Sequence, residues 1–518
     1  MIRKDDLFDL VHSMSRSEKR YFKLNNSAQQ GDKQYLKLFD ILQKSSEYDE
    51  SAILKSLEKG ISNNRYNFLK NYLYNSILAS LQQLYSKTGT GQLKGQLQKV
   101  KILYNKGLYR QSQKTLKRAK KLSLEFDDYL TLLEIIRLEK DLLSKEKDQT
   151  GFLEKSNLLH EEEQSYLLKL RQVNESNHLF SNVKYLYNTF GHPRSETELK
   201  RYEEIFDNSL FDLLDEKENP PHKVKVNLLV SRIIYNMCLY DHGNHHYFAR
   251  QLLEHYQRHE SKINQYPNDY LSAISYFLKS SAYLYKRHAF ENAVEDIKSF
   301  EKSLPASKKN KSLSANIFFT TYYNELFFYL QNCHIKNCLG LLPEIEQGLE
   351  TFQDQLNNTE KIYLTYLISL VHFGSGNFGE SLEWFNHILN TFKPDSIPHV
   401  YLRIRLMLLI NHFELGHTRL LEPLVISTYR YLLKKRKMYQ YESAVIRFIR
   451  KLPQLTSQSQ LDKLFIELLQ ELMEIVKDPF EYAGCAWFVF WLEGKEAGIS
   501  LEKVFENKTP EKLGKRLK

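Results

Sequence analysis

The segment GSGNFGESLEWFNHILNTF, residues 374–392, predicts two helices joined by a tight turn. Gly376 supplies the turn, Phe378 follows two positions later, and the small residue Ser381 follows three positions after that. Apolar residues recur at helical spacing on both sides of the turn. The segment therefore predicts one helical hairpin.

The same pattern of turn residue, aromatic residue and small residue occurs twice more, at Gly107, Tyr109 and Ser112 and at His288, Phe290 and Ala293. Residues that mark successive copies follow one another at intervals of 40 to 45 positions in the second half of the chain: His246, Phe290, Ile335, Phe378 and Thr418. Self-similarity at this period is typical of solenoids built from stacked helix pairs. The pattern therefore predicts an all-α solenoid of antiparallel helix hairpins.

The composition agrees with an all-α fold. Only 19 Gly and 12 Pro occur among 518 residues, so helices can run long and loops must be short. Few stretches alternate apolar and polar residues between turn clusters, as strands would. The 34 Tyr and 30 Phe suit the space between stacked hairpins, where large rings fill the core.

Three regions are predicted along the chain. Residues 1–90 form an N-terminal helical module, in which Ser15 and Glu18 have the spacing of a capping box. It ends in a linker rich in Gly, Ser and Thr, residues 86–92. Residues 91–450 form about eight hairpins, and residues 451–518 form a C-terminal helical cap.

The stretch without a clear marker, between Tyr109 and His246, has room for two more hairpins. We place their turns near Gly151 and Gly191, the second followed by a capping box from Ser195 to Glu198. Farther along the chain, Pro343 and Pro423 fall inside predicted second helices. Each is expected to kink or restart its helix.

The hairpin copies resemble the tetratricopeptide repeat (TPR) family, whose repeat carries Gly and an aromatic at the turn and a small residue early in the second helix. The resemblance covers about residues 93–450, with a period longer than that family's. It implies a right-handed superhelix whose first helices line a concave, ligand-binding face. It also implies the positions on that face: Lys101, Tyr104, Tyr285, Tyr323, Tyr363, Tyr366 and Arg403. The run MSRSEKRYFKL, residues 14–24, is similar to the start of uncharacterised bacterial helical-repeat proteins, which adds no activity.

No pattern in the sequence indicates an enzyme, a cofactor or a metal. His255 and His259 lie four apart on a predicted helix, but no Cys or carboxylate stands at a spacing that completes a site. The four Cys are too few and too scattered for a disulfide framework and are expected to be buried. The run GTGQLKG, residues 89–95, lacks the Gly-Lys-Ser/Thr ending of a phosphate loop.

The net charge of +10 leaves nucleic acid open as a partner. Lysine-rich clusters lie at residues 117–121, 308–311, 434–437 and 512–518. No secretory signal is expected, and the longest strongly apolar run, residues 482–492, is too short to cross a bilayer. We therefore expect a cytoplasmic, non-catalytic scaffold that binds a protein or peptide. The alternative is a nucleic-acid-binding or regulatory protein that uses the lysine clusters and the N-terminal module.

Overall fold

The computed structural model describes residues 6–27, 34–45, 47–57, 62–86, 89–146, 150–191, 193, 196–215, 218–304, 311–393, 398–435, 440–452, 457–477 and 482–510. These residues form helices and the turns between them, and none of them lies in a strand. The all-α class is therefore confirmed. The chain divides into two compact units, Met1–Gln172 and Val173–Lys518.

The first unit contains eight complete helices and the beginning of a ninth. They are α1 (Asp6–Ser13), α2 (Arg16–Ser27), α3 (Gln34–Lys44), α4 (Glu50–Leu57), α5 (Asn63–Tyr85), α6 (Gly89–Asn105), α7 (Tyr109–Glu125), α8 (Tyr129–Leu143) and α9 (Phe152–Phe190). Helices α1 to α5 share a core around Phe22 and Phe39, and α6 to α8 share a second, smaller one around Leu116.

The predicted capping box at the start of α2 is confirmed. The Ser15 N–H donates to Glu18 Oε2 at 2.6 Å, and the Glu18 N–H donates to Ser15 Oγ at 3.3 Å. The linker predicted at residues 86–92 is wrong from Gly89 onward, because α6 begins there. Two glycines, two threonines and a serine in seven residues indicated a flexible segment, but the apolar residues that follow, Leu93 and Leu97, bury one face of this helix.

The second unit contains the rest of α9, sixteen further α-helices and one 3-10 helix. They are α10 (Glu196–Phe206), a 3-10 helix (Ser209–Leu214), α11 (His222–Cys238), α12 (His242–Arg258), α13 (Glu260–Gln265), α14 (Pro267–Tyr283), α15 (Arg287–Ser303), α16 (Lys311–Gln331), α17 (Ile335–Thr351), α18 (Asn358–Gly374), α19 (Phe378–Thr391), α20 (Pro398–Glu414), α21 (Thr418–Lys435), α22 (Gln440–Lys451), α23 (Gln458–Ile475), α24 (Tyr482–Ala497) and α25 (Leu501–Asn507).

Seven helix pairs in the described chain are joined by the same turn, with the second helix beginning two residues after the residue of positive φ. In the hairpin of α18 and α19, the Gly376 N–H donates to the Phe373 carbonyl at 3.0 Å and the Asn377 N–H donates to the His372 carbonyl at 2.8 Å. These two bonds define the Schellman motif, which requires positive φ at one residue. That residue is in turn Gly107, Asp127, Tyr240, Tyr285, Cys333, Gly376 and Gly416.

The position five residues after each of these turns is a core position of the second helix. Its occupants are at most 3% exposed: Ser112, Leu132, His245, Phe290, Cys338, Ser381 and Leu421. The residue type varies from Ser to Phe, so the small residue expected at this place is not a requirement of the hairpin. What recurs is burial.

Two copies have a different register from the one that the sequence predicts. The turn before α15 is at Tyr285, whose φ is 49°, so His288 lies inside the helix and Phe290 is its core residue. The turn before α12 is at Tyr240, which places His242 and not His246 at the helix start. In both copies the residue in the left-handed region is a tyrosine, so no glycine marks the position of the turn.

Between Tyr109 and His246, Gly151 and Gly191 both have positive φ and mark the two ends of α9, as expected. The residues between them form one helix of 39 residues. The capping box predicted at Ser195 falls outside the described residues. Helices α17 and α21 run through Pro343 and Pro423, so neither proline restarts its helix, and a kink at each stays a prediction.

The last helices join the core of the second unit. Trp491 on α24 is buried, and its Nε1 donates to Glu414 Oε1 at 2.6 Å, while Lys495 pairs with Glu414 Oε2 at 2.7 Å. Ser457 caps α23, accepting from the Gln460 N–H at 3.3 Å. The region boundaries at residues 90 and 450, the hairpin count and the right-handed superhelix stay predictions.

Candidate binding surface on the first helices

The first helices of successive hairpins in the second unit pack against one another in the order α14, α16, α18 and α20. Each first helix therefore has three faces. One packs against the neighbouring first helices, one packs against the second helix of the same hairpin, and the third is turned away from both. Aromatic side chains follow this third face on α16, where the Tyr323 ring lies 5.2 Å from Phe319 and 6.4 Å from Phe327, centroid to centroid.

Tyr323 is the centre of a network of contacts between helices. Its ring meets the Tyr363 ring of α18 edge to face, with centroids 5.9 Å apart. On the other side, the Lys279 Nζ of α14 lies 4.9 Å from the Tyr323 ring centroid, which is the range of a cation–π contact. Tyr283, one turn after Lys279 on α14, packs against Phe327 at 5.4 Å.

A tyrosine from α9 faces the same place. Burial raises the pKa of the Tyr187 hydroxyl well above its usual value, and the next causes of the raised pKa are the nearby groups of Tyr363, Cys238, Tyr323 and Tyr283. Four tyrosines from four helices therefore converge. A mainly neutral hydroxyl at pH 7 is both donor and acceptor, so the convergence offers hydrogen bonds to a ligand.

Arg403 of α20 closes the network at its far end. It donates a hydrogen bond to the hydroxyl of Tyr366 and also acts electrostatically on Tyr363. We call Tyr187, Tyr283, Tyr323, Tyr363 and Tyr366, together with Lys279 and Arg403, the tyrosine cluster. It runs from the C-terminal ends of α9 and α14 to the N-terminal parts of α18 and α20.

The tyrosine cluster is partly shielded from water, but its side chains remain accessible. Tyr323 and Tyr363 are half-buried rather than buried. Yet burial raises the pKa of Tyr323 to about 12, and it raises the pKa of Tyr363 as well. Side chains that remain accessible while neighbours exclude most of their water are typical of a concave binding surface.

Lys279 lies in the same dry environment. Burial lowers the pKa of its ammonium group to about 8, and no carboxylate among the described residues pairs with it. Its neighbour His245 is fully buried, and burial lowers the pKa of that imidazole to about 3, so His245 is neutral at pH 7. The positive charge of Lys279 is therefore not compensated from within the described part of the chain.

Four of the seven residues expected on the binding face belong to the tyrosine cluster: Tyr323, Tyr363, Tyr366 and Arg403. Tyr366, however, is buried in the core, with its ring 6.1 Å from that of Phe385 on α19, and meets the cluster through its hydroxyl. Tyr285 lies in the turn after α14 and packs against Phe328, with ring centroids 6.1 Å apart, so it is not on the face of the first helix. Lys101 and Tyr104 belong to the first unit. There Lys101 pairs with Glu134 at 2.6 Å, and the Tyr104 ring packs on Tyr109 at 5.4 Å.

Tyr187, Lys279 and Tyr283 were missed by sequence reasoning. The signal for Lys279 is present once the turn is placed at Tyr285, because Lys279 then stands six residues before the turn, as Phe327 does on α16. Counted back from the turn of each hairpin, Tyr363 and Arg403 occupy one equivalent position, and Tyr323 and Tyr366 occupy another. Tyr187 follows no repeat position, so the sequence holds no signal for it.

The other candidate sites resolve into structural roles. His222 Nδ1 and His255 Nε2 are 2.8 Å apart, and no group of three or more potential ligands that could hold a metal ion occurs among the described residues. All four cysteines are buried free thiols, as expected. The run at residues 89–95 lies in α6.

The lysine clusters are described only in part, and one lysine in them makes ion pairs while Lys117, Arg118 and Lys121 are exposed. Lys120, in the first of them, pairs with Glu139 and Glu162 at 2.7 Å each. The clusters at 308–311, 434–437 and 512–518 lie wholly or partly outside the described residues. Within the described chain, no helix combines the length and the apolar character needed to cross a membrane.

No protein-family model matches this chain, and no curated protein matches its sequence significantly.

Proposed function

We propose that this protein is a non-catalytic scaffold that binds a segment of a partner protein on the tyrosine cluster. The observation that supports this most is the convergence of tyrosines from α9, α14, α16 and α18 with a lysine and an arginine. Tyr and Arg are the residue types that contribute most binding energy at protein interfaces, because they combine a large apolar surface with polar groups. A TPR-like solenoid, which the hairpin pattern resembles, would bind its ligand on this same face.

A peptide selection tests the proposal. Random 12-residue peptides displayed on phage are selected against the immobilised full chain, and the enriched peptides are then titrated by fluorescence anisotropy. We expect Tyr323→Ala and Tyr363→Ala each to weaken binding by about 30-fold, the effect of a hot spot worth about 2 kcal/mol. Tyr323→Phe and Tyr363→Phe preserve the packing and test the hydroxyls.

The matched control is Tyr247→Ala, which removes an exposed tyrosine from the second helix α12. It should leave the affinity unchanged. Failure to enrich any peptide would contradict the proposal. So would peptides that bind the Tyr363→Ala and Tyr247→Ala proteins equally well.

The alternative of nucleic-acid binding is measured on the same protein with random single- and double-stranded oligonucleotides across a salt series. Neutralised phosphates release counterions, so genuine binding falls steeply as salt increases. Tight, steeply salt-dependent oligonucleotide binding without any selected peptide would favour the alternative.

A further inference from the structure

The tyrosine cluster holds hydrogen-bond donors without partners. The hydroxyls of Tyr187, Tyr323 and Tyr363 make no hydrogen bond to any described residue, although all three are half-buried. A neutral tyrosine hydroxyl both donates and accepts hydrogen bonds. Three such hydroxyls side by side can donate to an acceptor on a bound ligand.

Both charged members of the tyrosine cluster are cations. Lys279 has the ring of Tyr323 as its partner and no described carboxylate, and Arg403 adds a second cation. The carboxylate of Asp241, which lies beside His242 near Tyr283, caps α12 by accepting from the N–H and the side chain of Asn244. The Asp241 carboxylate is therefore already hydrogen-bonded within α12.

We propose that the partner segment bound by the tyrosine cluster is acidic, with internal Asp or Glu side chains that pair with Lys279 and Arg403 and accept from the tyrosine hydroxyls. This inference rests on the proposed function and specifies its ligand. Carboxylates are suited to the site because hydrogen bonds between charged groups are the strong ones in a dry environment. The segment's apolar side chains pack on the rings of Phe319, Tyr323 and Phe327.

An acidic peptide fits the charge of this surface better than a nucleic acid does. A nucleic acid carries one phosphate per nucleotide and needs a row of cations along its path. The cluster offers two cations, separated by Tyr323 and Tyr363. The tyrosine rings also contact one another, which occupies faces on which bases would stack.

The composition of selected peptides tests the inference. The displayed peptides are joined to the coat protein through their C-termini, so that only internal side chains supply carboxylates. We expect Asp and Glu to be enriched in peptides selected by the full chain. The best acidic peptide and its Glu→Gln, Asp→Asn counterpart are then titrated against the wild type, Lys279→Met, Arg403→Met and the double variant.

We expect each single substitution to weaken binding of the acidic peptide by about tenfold and the double variant to weaken it further, with little effect on the amide counterpart. Lys298→Met and Arg250→Met, exposed cations on α15 and α12, serve as controls that leave the affinity unchanged. Circular dichroism melts establish that each variant is folded. If a methionine variant is not folded, the glutamine variant at the same position, Lys279→Gln or Arg403→Gln, replaces it.

Three results are distinguishable. Acidic peptides whose affinity depends on Lys279 and Arg403 support the inference. Selected peptides that are neutral or basic, or acidic peptides bound equally well by the double variant, overturn it while the proposed scaffold function stands. If no peptide is enriched, both fail.

Discussion

Lys279 carries its charge in a place where the described residues supply no carboxylate to neutralise it. Taking an ammonium group out of water without an ion-pair partner costs free energy, which a nearby aromatic ring offsets only in part. Removing the charge should therefore stabilise the folded chain. A residue that weakens the fold is retained for another reason, and ligand binding is the reason that the tyrosine cluster offers.

The first prediction follows from this cost. Lys279→Met keeps the aliphatic length of the side chain and removes the charge, so it should raise the melting temperature of the second unit by about 1–2 °C. Lys298→Met, on the exposed surface of α15, should leave it unchanged. Circular dichroism or calorimetry measures both. A clear fall in the melting temperature of Lys279→Met would mean that its contact with Tyr323 holds the fold together.

A second prediction concerns pH. The pKa of Lys279 is lowered to about 8 in the free protein, and a bound carboxylate would raise it. Above pH 8 the free lysine is mostly neutral, so binding must take up a proton. The affinity for an acidic peptide should then fall by up to about tenfold per pH unit.

Neighbouring groups do not share this titration. His245 is neutral from above pH 3, and the pKa of Tyr323 is raised to about 12. Anisotropy titrations at pH 7, 8, 9 and 9.5 measure the effect. The Lys279→Met protein should show no such slope, and an identical slope in both proteins would exclude Lys279 as its source.

At the scale of the helical hairpin, the turn imposes the strongest local requirement. Gly376 and Gly379 lie three residues apart in one hairpin, and a methyl group added to either would meet no atom within 4 Å. They differ in backbone conformation, because Gly376 has a φ of 80° and Gly379 lies within α19. A comparison of the two positions therefore separates the backbone requirement of the turn from the effect of side-chain packing.

The third prediction uses this pair. Gly376→Ala should destabilise the fold by about 1–2 kcal/mol, the cost of a side chain in the left-handed region. Gly379→Ala should stabilise it by about 0.5–1 kcal/mol, since alanine loses less conformational entropy in a helix. Chemical denaturation of both variants measures the difference. Equal effects at the two sites would contradict a Schellman turn at Gly376.

These turns also explain how far the sequence predicts the fold. Glycine marks the turns at Gly107, Gly376 and Gly416, and sequence reasoning placed the helices that follow them correctly. At Tyr240 and Tyr285 no glycine marks the turn, and the predicted register slipped by three or four residues. A tyrosine in the left-handed region is strained, but burial of the adjoining helices compensates for that strain. The local preference of tyrosine therefore does not reveal the position of the turn.

The candidate site was predicted in part for the same reason. Tyr323, Tyr363, Tyr366 and Arg403 lie on the helices that precede the turns at Cys333, Gly376 and Gly416, whose register was correct. Lys279 and Tyr283 precede the turn at Tyr285, so they were missed, and Tyr285 itself was wrongly placed on the helix face. Tyr187 reaches the cluster through tertiary packing alone, which no repeat pattern contains.

For the whole molecule, the two compact units have separate hydrophobic cores. Phe22 is buried among the helices of the first unit, and Phe373 is buried among those of the second. Each unit should therefore unfold as a cooperative body of its own. Calorimetry of the full chain should show two transitions.

The fourth prediction assigns these transitions. Phe22→Ala and Phe373→Ala each remove a fully buried ring, which costs about 3–5 kcal/mol through lost burial and the remaining cavity. Each variant should lower one transition and leave the other in place. A single transition that both variants lower equally would show that the two units unfold together.

Hydrogen–deuterium exchange of the full chain, with and without the selected peptide, tests most directly whether the tyrosine cluster is the binding surface. We expect the peptide to slow exchange in α14, α16, α18 and α20, the first helices that carry the cluster, and in the C-terminal end of α9. Exchange in α15, α17 and α19 should change little. Protection centred on these second helices, or on residues 1–172, would contradict binding at the tyrosine cluster.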